Sequence, residues 1–201
     1  MGIGIGRVVA GLAAVALAAE GGYCAAVGSS TLLRPPGIQG EADFMARCIK
    51  CGKCVEACKY KAIRTAGMDA GAAMGTPYID ARDQACRLCE DFPCTKACPT
   101  GALRDVGERG DVDMGYATID ENVCIAYQGY RCEVCYRVCP LIDEAITIDY
   151  RIRENDVIHA KFIPTVNKDV CTGCGLCVMR CVIDDPRVPI RIVTRGEQEK
   201  G

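Results

Sequence analysis

The stretch "CIKCGKCVEACKYKAI", residues 48–63, sets four thiols at intervals of three, three and four residues. The chain has 201 residues and 17 cysteines, and 16 of these fall into four such groups. Group one is Cys48, Cys51, Cys54 and Cys58. Group two is Cys86, Cys89, Cys94 and Cys98, and group three is Cys124, Cys132, Cys135 and Cys139. Group four is Cys171, Cys174, Cys177 and Cys181, which leaves Cys24 alone.

Three chemistries compete for thiols at this spacing. Disulfides form in oxidising compartments, but cysteines separated by a two-residue gap rarely meet the required geometry. Structural zinc uses paired C-x2-C units joined by a longer spacer, whereas groups one and four run C-x2-C-x2-C-x3-C without a break. That run is the signature of [4Fe–4S] binding: three thiolates hold one cluster and the fourth crosses to a second. Four runs therefore predict four [4Fe–4S] clusters ligated by the same sixteen cysteines. Groups two and three carry longer gaps, Cys89 to Cys94 and Cys124 to Cys132, which enlarge a loop without removing a ligand.

Because the fourth cysteine crosses over, the groups must pair. Pro99 and Pro140 follow the last cysteines of groups two and three, while Lys59 and Val182 follow those of groups one and four. Matching like with like predicts a nested order, one with four and two with three; sequential pairing is the alternative. In the nested order the ligand sets are Cys48, Cys51, Cys54 and Cys181; Cys58, Cys171, Cys174 and Cys177; Cys86, Cys89, Cys94 and Cys139; and Cys98, Cys124, Cys132 and Cys135.

The elements that position these loops recur. Runs prone to form strands lead in ("PYID", "YATID", "FIPTV"), a short helix carries the fourth cysteine, and apolar runs follow ("KAIRTA", "GALRDV", "EAITIDY", "VPIRIV"). "EAITIDY" alternates as a half-buried strand does. The expected fold class is α+β: two ferredoxin-like modules with two clusters each, one inserted in the other. The outer module is 41–66 with 162–195 and the inner module 77–150, within a four-cluster domain spanning 31–195. Residues 66–76 and 105–115 read as loops, and 196–201 as a charged tail. Trp is absent and aromatics make up 5%, so metal links must supply much of the stability. A net charge of −2 carries no nucleic-acid signature.

Residues 1–30 differ in kind. "RVVAGLAAVALAA" reads as the apolar core of an export signal, with a retained anchor or an alanine-rich helix as alternatives; it is too short to span a bilayer well. Nothing outside the cysteines has catalytic spacing. His159 reads as a surface histidine, and no dinucleotide or phosphate-loop motif follows a strand. The basic residues Arg47, Lys50, Lys53, Lys59, Lys61 and Arg64, with Arg180, Arg187, Arg191 and Arg195 near group four, serve either charge balance for anionic clusters or docking to an acidic redox partner. Lys59, standing where such motifs carry proline, either points into solvent or raises the potential of the adjacent cluster.

Over residues 31–185 the chain resembles the MauM/NapG ferredoxin-type proteins. The likeness rests on "LRPPG" (33–37), "CIKCGKCVEAC", "GTPY" (75–78), "CEDFPCTKACPTGAL" (89–103), "YQGYRCEVCYRVCPLIDEAIT" (127–147) and "PTVNKDVCTGCG" (164–175), in that order. It implies a periplasmic electron carrier without its own substrate site. Such a carrier takes quinol electrons from a membrane-bound ferredoxin-type partner, associates peripherally with the membrane, and feeds periplasmic nitrate reductase or, in the MauM branch, methylamine utilisation. The related four-cluster subunits of molybdenum oxidoreductases imply the nested pairing. Two features depart from the family pattern. Only Arg7 stands where a twin arginine is expected, which keeps a cytoplasmic location as the alternative, and group one reads "CKYKAI" rather than "CPY".

Overall fold

The computed structural model describes residues 32–153, 156–194 and 197; the side chains of 153–159 are not among those described. Cys24 and the expectations for the leader, the His159 side chain, Arg195 and most of the tail therefore lie outside what the structure describes.

Each cysteine group builds one short helix, and the cysteine-rich loop before it sets where that helix starts. The helices are α2 (Lys53–Ala57), α3 (Pro93–Lys96), α4 (Val134–Arg137) and α5 (Leu176–Arg180), preceded by α1 (Glu41–Arg47). They carry the third cysteine of each group, not the fourth as expected. The fourth falls at or just beyond the C-terminus: Cys58 and Cys181 are the C-caps of α2 and α5, both in non-helical conformation. Three of the four helices begin from a left-handed residue, Gly52 (φ 76°), Phe92 (φ 38°) and Gly175 (φ 83°). A second left-handed residue precedes the second cysteine in the same three groups: Lys50, Leu88 and Gly173. Alternating right- and left-handed residues curl a chain into a concave nest of amides suited to an anion. Group three reaches its helix through its longer gap, which turns at Gly129 (φ 98°).

The strands form three separate antiparallel pairs. Strand β1 (Ile63–Thr65) pairs with β2 (Pro77–Ile79), β3 (Gly115–Ile119) with β6 (Ile190–Thr194), and β4 (Ile146–Arg153) with β5 (Asp156–Val166). Thus "KAIRTA" pairs with the "PYID" that leads into group two, and "YATID" pairs with the strand that leaves group four. Helix α2 packs on α3, and α4 on α5. The modules therefore follow one another along the chain, groups one and two and then groups three and four, and the expected insertion of 77–150 between 41–66 and 162–195 is not formed. "GALRDV" makes no strand. Its Arg104 N–H donates instead to the carbonyl of Gly37 (2.8 Å). Short 3-10 segments interrupt both expected loops: Met68–Ala73, kinked at Gly71, and the single turn Arg109–Asp111.

Residues 33–37 brace the first module. Arg34 is 2% exposed; its Nε donates to Glu41 (3.0 and 3.1 Å), its Nη1 to Thr76 Oγ1 (2.8 Å) and the Pro77 carbonyl (2.9 Å), and it stacks over Phe44. A buried guanidinium is tolerable only when paired in this way. One apolar core joins Leu33, Phe44, Leu88 and Phe92 of the first half to Cys174 and Leu176 of the second, and a smaller one gathers Ala117, Ile146, Val178 and Ile190.

The seam between the modules is specific. The Cys86 N–H donates to the Cys174 carbonyl (3.0 Å) and the Met114 N–H to Thr172 (3.1 Å). Arg82 Nη1 donates to the carbonyls of Val178 (2.8 Å) and Cys181 (3.0 Å), capping the open end of α5, while Nη2 pairs with Asp184. Cationic groups suit the negative end of a helix. Gly175 lies so close to Ala81 that a Cβ there would sit 2.6 Å from the alanine methyl. No helix among the described residues is long and apolar enough to cross a membrane.

Candidate metal centres

Four hollows are each ringed by four cysteines. The first ring is Cys48, Cys51, Cys54 and Cys98. The second is Cys58, Cys86, Cys89 and Cys94. The third is Cys139, Cys171, Cys174 and Cys177, and the fourth is Cys124, Cys132, Cys135 and Cys181. All sixteen predicted cysteines are brought together in fours and all are free thiols. Their partition is sequential. Cys98 joins group one and Cys58 joins group two; Cys181 joins group three and Cys139 joins group four.

The nested ligand sets are therefore corrected at the crossing cysteine of each. Cys181 does not lie with Cys48, Cys51 and Cys54, nor Cys58 with Cys171, Cys174 and Cys177. Cys139 is likewise away from Cys86, Cys89 and Cys94, and Cys98 from Cys124, Cys132 and Cys135. The reason is local. The fourth cysteine leaves the end of a helix four or five residues long, so it reaches only what that helix packs against, and α2 meets α3 while α4 meets α5. Proline after the fourth cysteine shapes the next turn and says nothing about the partner.

The rings stand in a row. The first and second share α2 and α3. The second and third touch through the Cys86–Cys174 backbone hydrogen bond. The third and fourth share α4 and α5, close enough that Cys135 raises the pKa of Cys177.

The thiols are poised for a cationic group. Burial pushes Cys86, Cys94 and Cys135 up to about 12, and Cys54 and Cys174 up to about 11, with neighbouring thiols adding to the effect. Burial also raises Cys177 well above the usual thiol range. Alone at neutral pH these thiols keep their protons, so ligation must expel protons and replace them with positive charge. Cys98 behaves otherwise: burial raises it, but donors led by the Leu103 amide (3.4 Å) outweigh that and hold it low. The amides of Ala62 and Ala117 likewise donate to Cys58 (3.3 Å) and Cys171 (3.4 Å). Among the described residues no three Cys, His, Asp or Glu side chains are close-set enough to hold a single metal ion. A lone zinc needs four sulfurs at about 2.3 Å from one point. Wider rings with amide donors fit a polynuclear, sulfide-bearing group better.

Of the cations weighed for charge balance or for docking to an acidic partner, five are paired among the described residues. Groups one and four lie in different modules, and Arg47, Lys59, Arg64, Arg187 and Arg191 each pair with a carboxylate: Asp43, Asp91, Asp83, Asp120 and Glu197. Lys59 is 68% exposed and lies 3.6 Å from Asp91. Sequence reasoning missed Arg34, Arg82 and Arg87. Arg34 stands in the quoted "LRPPG" and Arg87 between the first two cysteines of group two; Arg82 left no signal there.

The 4Fe-4S dicluster domain matches twice, at residues 47–102 and 124–184. The ferredoxin-type protein NapG of Escherichia coli is 44% identical over 197 residues, covering 97% of this chain and 85% of that protein. NapG of Haemophilus influenzae is 47% identical over 161 residues, 79% of this chain and 58% of that protein. The methylamine utilization ferredoxin-type protein MauM of Methylorubrum extorquens is 46% identical over 165 residues, 81% of this chain and 73% of its own. No solved structure matches.

Proposed function

The chain belongs to the family of ferredoxin-type iron–sulfur proteins that includes NapG and MauM, and on that premise we propose that it is a four-centre electron relay. It takes quinol-derived electrons from a membrane-bound ferredoxin-type partner and passes them towards a periplasmic reductase such as nitrate reductase. The observation that carries this reading is the row of four rings, each of four free thiols, joined end to end by shared helices and by the Cys86–Cys174 hydrogen bond. All sixteen cysteines are the ligands in this reading, and each ring holds one [4Fe–4S] cluster. Such clusters, when bound, supply one-electron transfer without making or breaking bonds in a substrate.

The chain's own contribution is to hold, shield and tune. Left-handed loop residues turn amides inward, Ala62, Leu103 and Ala117 donate to ligand sulfurs, and aliphatic side chains keep water from the rings. No catalytic residue is assigned. The protein is a carrier, with the membrane at one end of its pathway and a reductase at the other. A methylamine-utilisation role is the second reading, favoured by the 46% identity to MauM.

Anaerobic purification followed by metal and sulfide analysis tests the core of the proposal. The expected result is about 16 iron and about 16 acid-labile sulfide per chain, as four [4Fe–4S] clusters require. Zinc in place of iron would overturn it. Quinol-dependent reduction of the holoprotein in membranes containing the partner, lost when that partner is deleted, tests the pathway.

A further inference from the structure

Arg87 stands between Cys86 and Cys89 and lines the second ring together with their thiols. Its guanidinium lies over the Tyr60 ring, 5.8 Å from the centroid. Its Nε is buried and has no hydrogen-bond partner among the described residues. A buried N–H without an acceptor costs about 1–3 kcal/mol, so a cation held this way is explained best by an acceptor at the ring itself. The sulfurs of a cluster are such acceptors.

The other rings lack this feature. The third and fourth are lined, besides cysteine, only by proline, glycine, threonine and aliphatic side chains. The first includes Lys50, but that side chain runs past Gly75 and is exposed. Positive charge and N–H donors favour the reduced, more negative state of a cluster and raise its potential, most strongly where water is excluded.

We propose that Arg87, through its buried Nε–H and its charge, makes the centre held by Cys58, Cys86, Cys89 and Cys94 the highest in potential of the four. The inference rests on the assignment of iron–sulfur clusters to the rings. Its consequence is a direction. Electrons entering at the fourth ring run along the row, cross the Cys86–Cys174 junction, and collect in the first module.

The test is an EPR-monitored redox titration of the full-length, anaerobically purified holoprotein. In the unmodified protein the first centre to be reduced should be the one whose signal Cys89→Ser alters. In Arg87→Gln that same centre should lose about tenfold in its reduced-to-oxidised ratio at a fixed potential, a fall of ~59 mV for one electron, while the other three stay in place. Arg87→Lys, which keeps the charge but not the planar N–H, should shift less. A first-reduced centre whose signal Cys89→Ser leaves intact would overturn the proposal. So would an unchanged titration of Arg87→Gln with full iron content. Absence of iron from the unmodified protein would sink the cluster assignment itself, and this inference with it.

Discussion

The two modules use the same ligand frame in different surroundings. Each has two rings, two facing helices of four or five residues, and crossing cysteines at the helix ends. The first module is braced by the buried Arg34 and has cations at both rings. The second has wholly uncharged linings and carries the long β4–β5 hairpin, with Tyr150 and Ile152 exposed along it and Arg131 stacked on Phe162. Cysteine spacing fixes where metal can sit. The residues between and around the cysteines determine what distinguishes one centre from the next.

The most severe way to break the comparison is to remove a crossing ligand from each half. Cys98→Ser should abolish or transform the EPR signal that Cys51→Ser affects, and Cys181→Ser the one that Cys132→Ser affects, each with loss of up to one cluster's iron. Matching behaviour of Cys181→Ser and Cys51→Ser would restore the nested order.

Glycines at equivalent places sharpen the comparison. Gly52 and Gly175 both start a helix with φ near 80°, and both favour glycine for that reason. Around Gly52 nothing lies within 4 Å of an added Cβ, whereas Gly175 meets Ala81 across the seam. Gly52→Ala should therefore cost about 1 kcal/mol, from the left-handed backbone alone. Gly175→Ala should cost about 3 kcal/mol, because overlap in a packed seam is added. Thermal unfolding of the two holoproteins reads the difference, and equal losses would mean that the seam yields.

Arg82→Ala should cost about 2 kcal/mol, since it removes charged donors from the last carbonyls of α5. Hydrogen exchange should accelerate in residues 176–184 and not at α2, which has no such clamp. Uniform acceleration would show that the modules open together. The smallest effect belongs to Lys59. Its exposed ion pair with Asp91 is worth at most about 1 kcal/mol, so Lys59→Pro should lower the second centre by no more than ~40 mV. The predicted shift moves with Lys59 from the nested set to the ring of Cys58, Cys86, Cys89 and Cys94. A larger change at any other centre would contradict this.

The sixteen cysteines that gather in fours were legible in the sequence because a thiol run has few other uses, and strands such as "EAITIDY" followed from alternation. The partition was not legible. It depends on which helix a neighbouring helix packs against, and helices this short carry no periodicity that names a partner. The comparison of Pro99 and Pro140 with Lys59 and Val182 looked like a pairing rule and was only turn chemistry. The contacts of Arg34 and Arg82 were invisible for another reason: their acceptors are mostly backbone carbonyls and residues far along the chain, which no local motif records.

The sequential partition also bears on how the protein is made. Every thiol of the first two rings lies before residue 99, while the other two rings need residues 124–181. The ribosome thus delivers a complete ligand set for two centres when about half the chain has emerged. The nested order would have left the first group waiting for the last. Metallation can then proceed from the N-terminus, with Cys174 and the end of α5 docking onto Cys86 and Arg82 of a half already filled. A chain ending after Val112 should bind about 8 iron during synthesis, and failure to bind any would mean that the seam is needed before the metal.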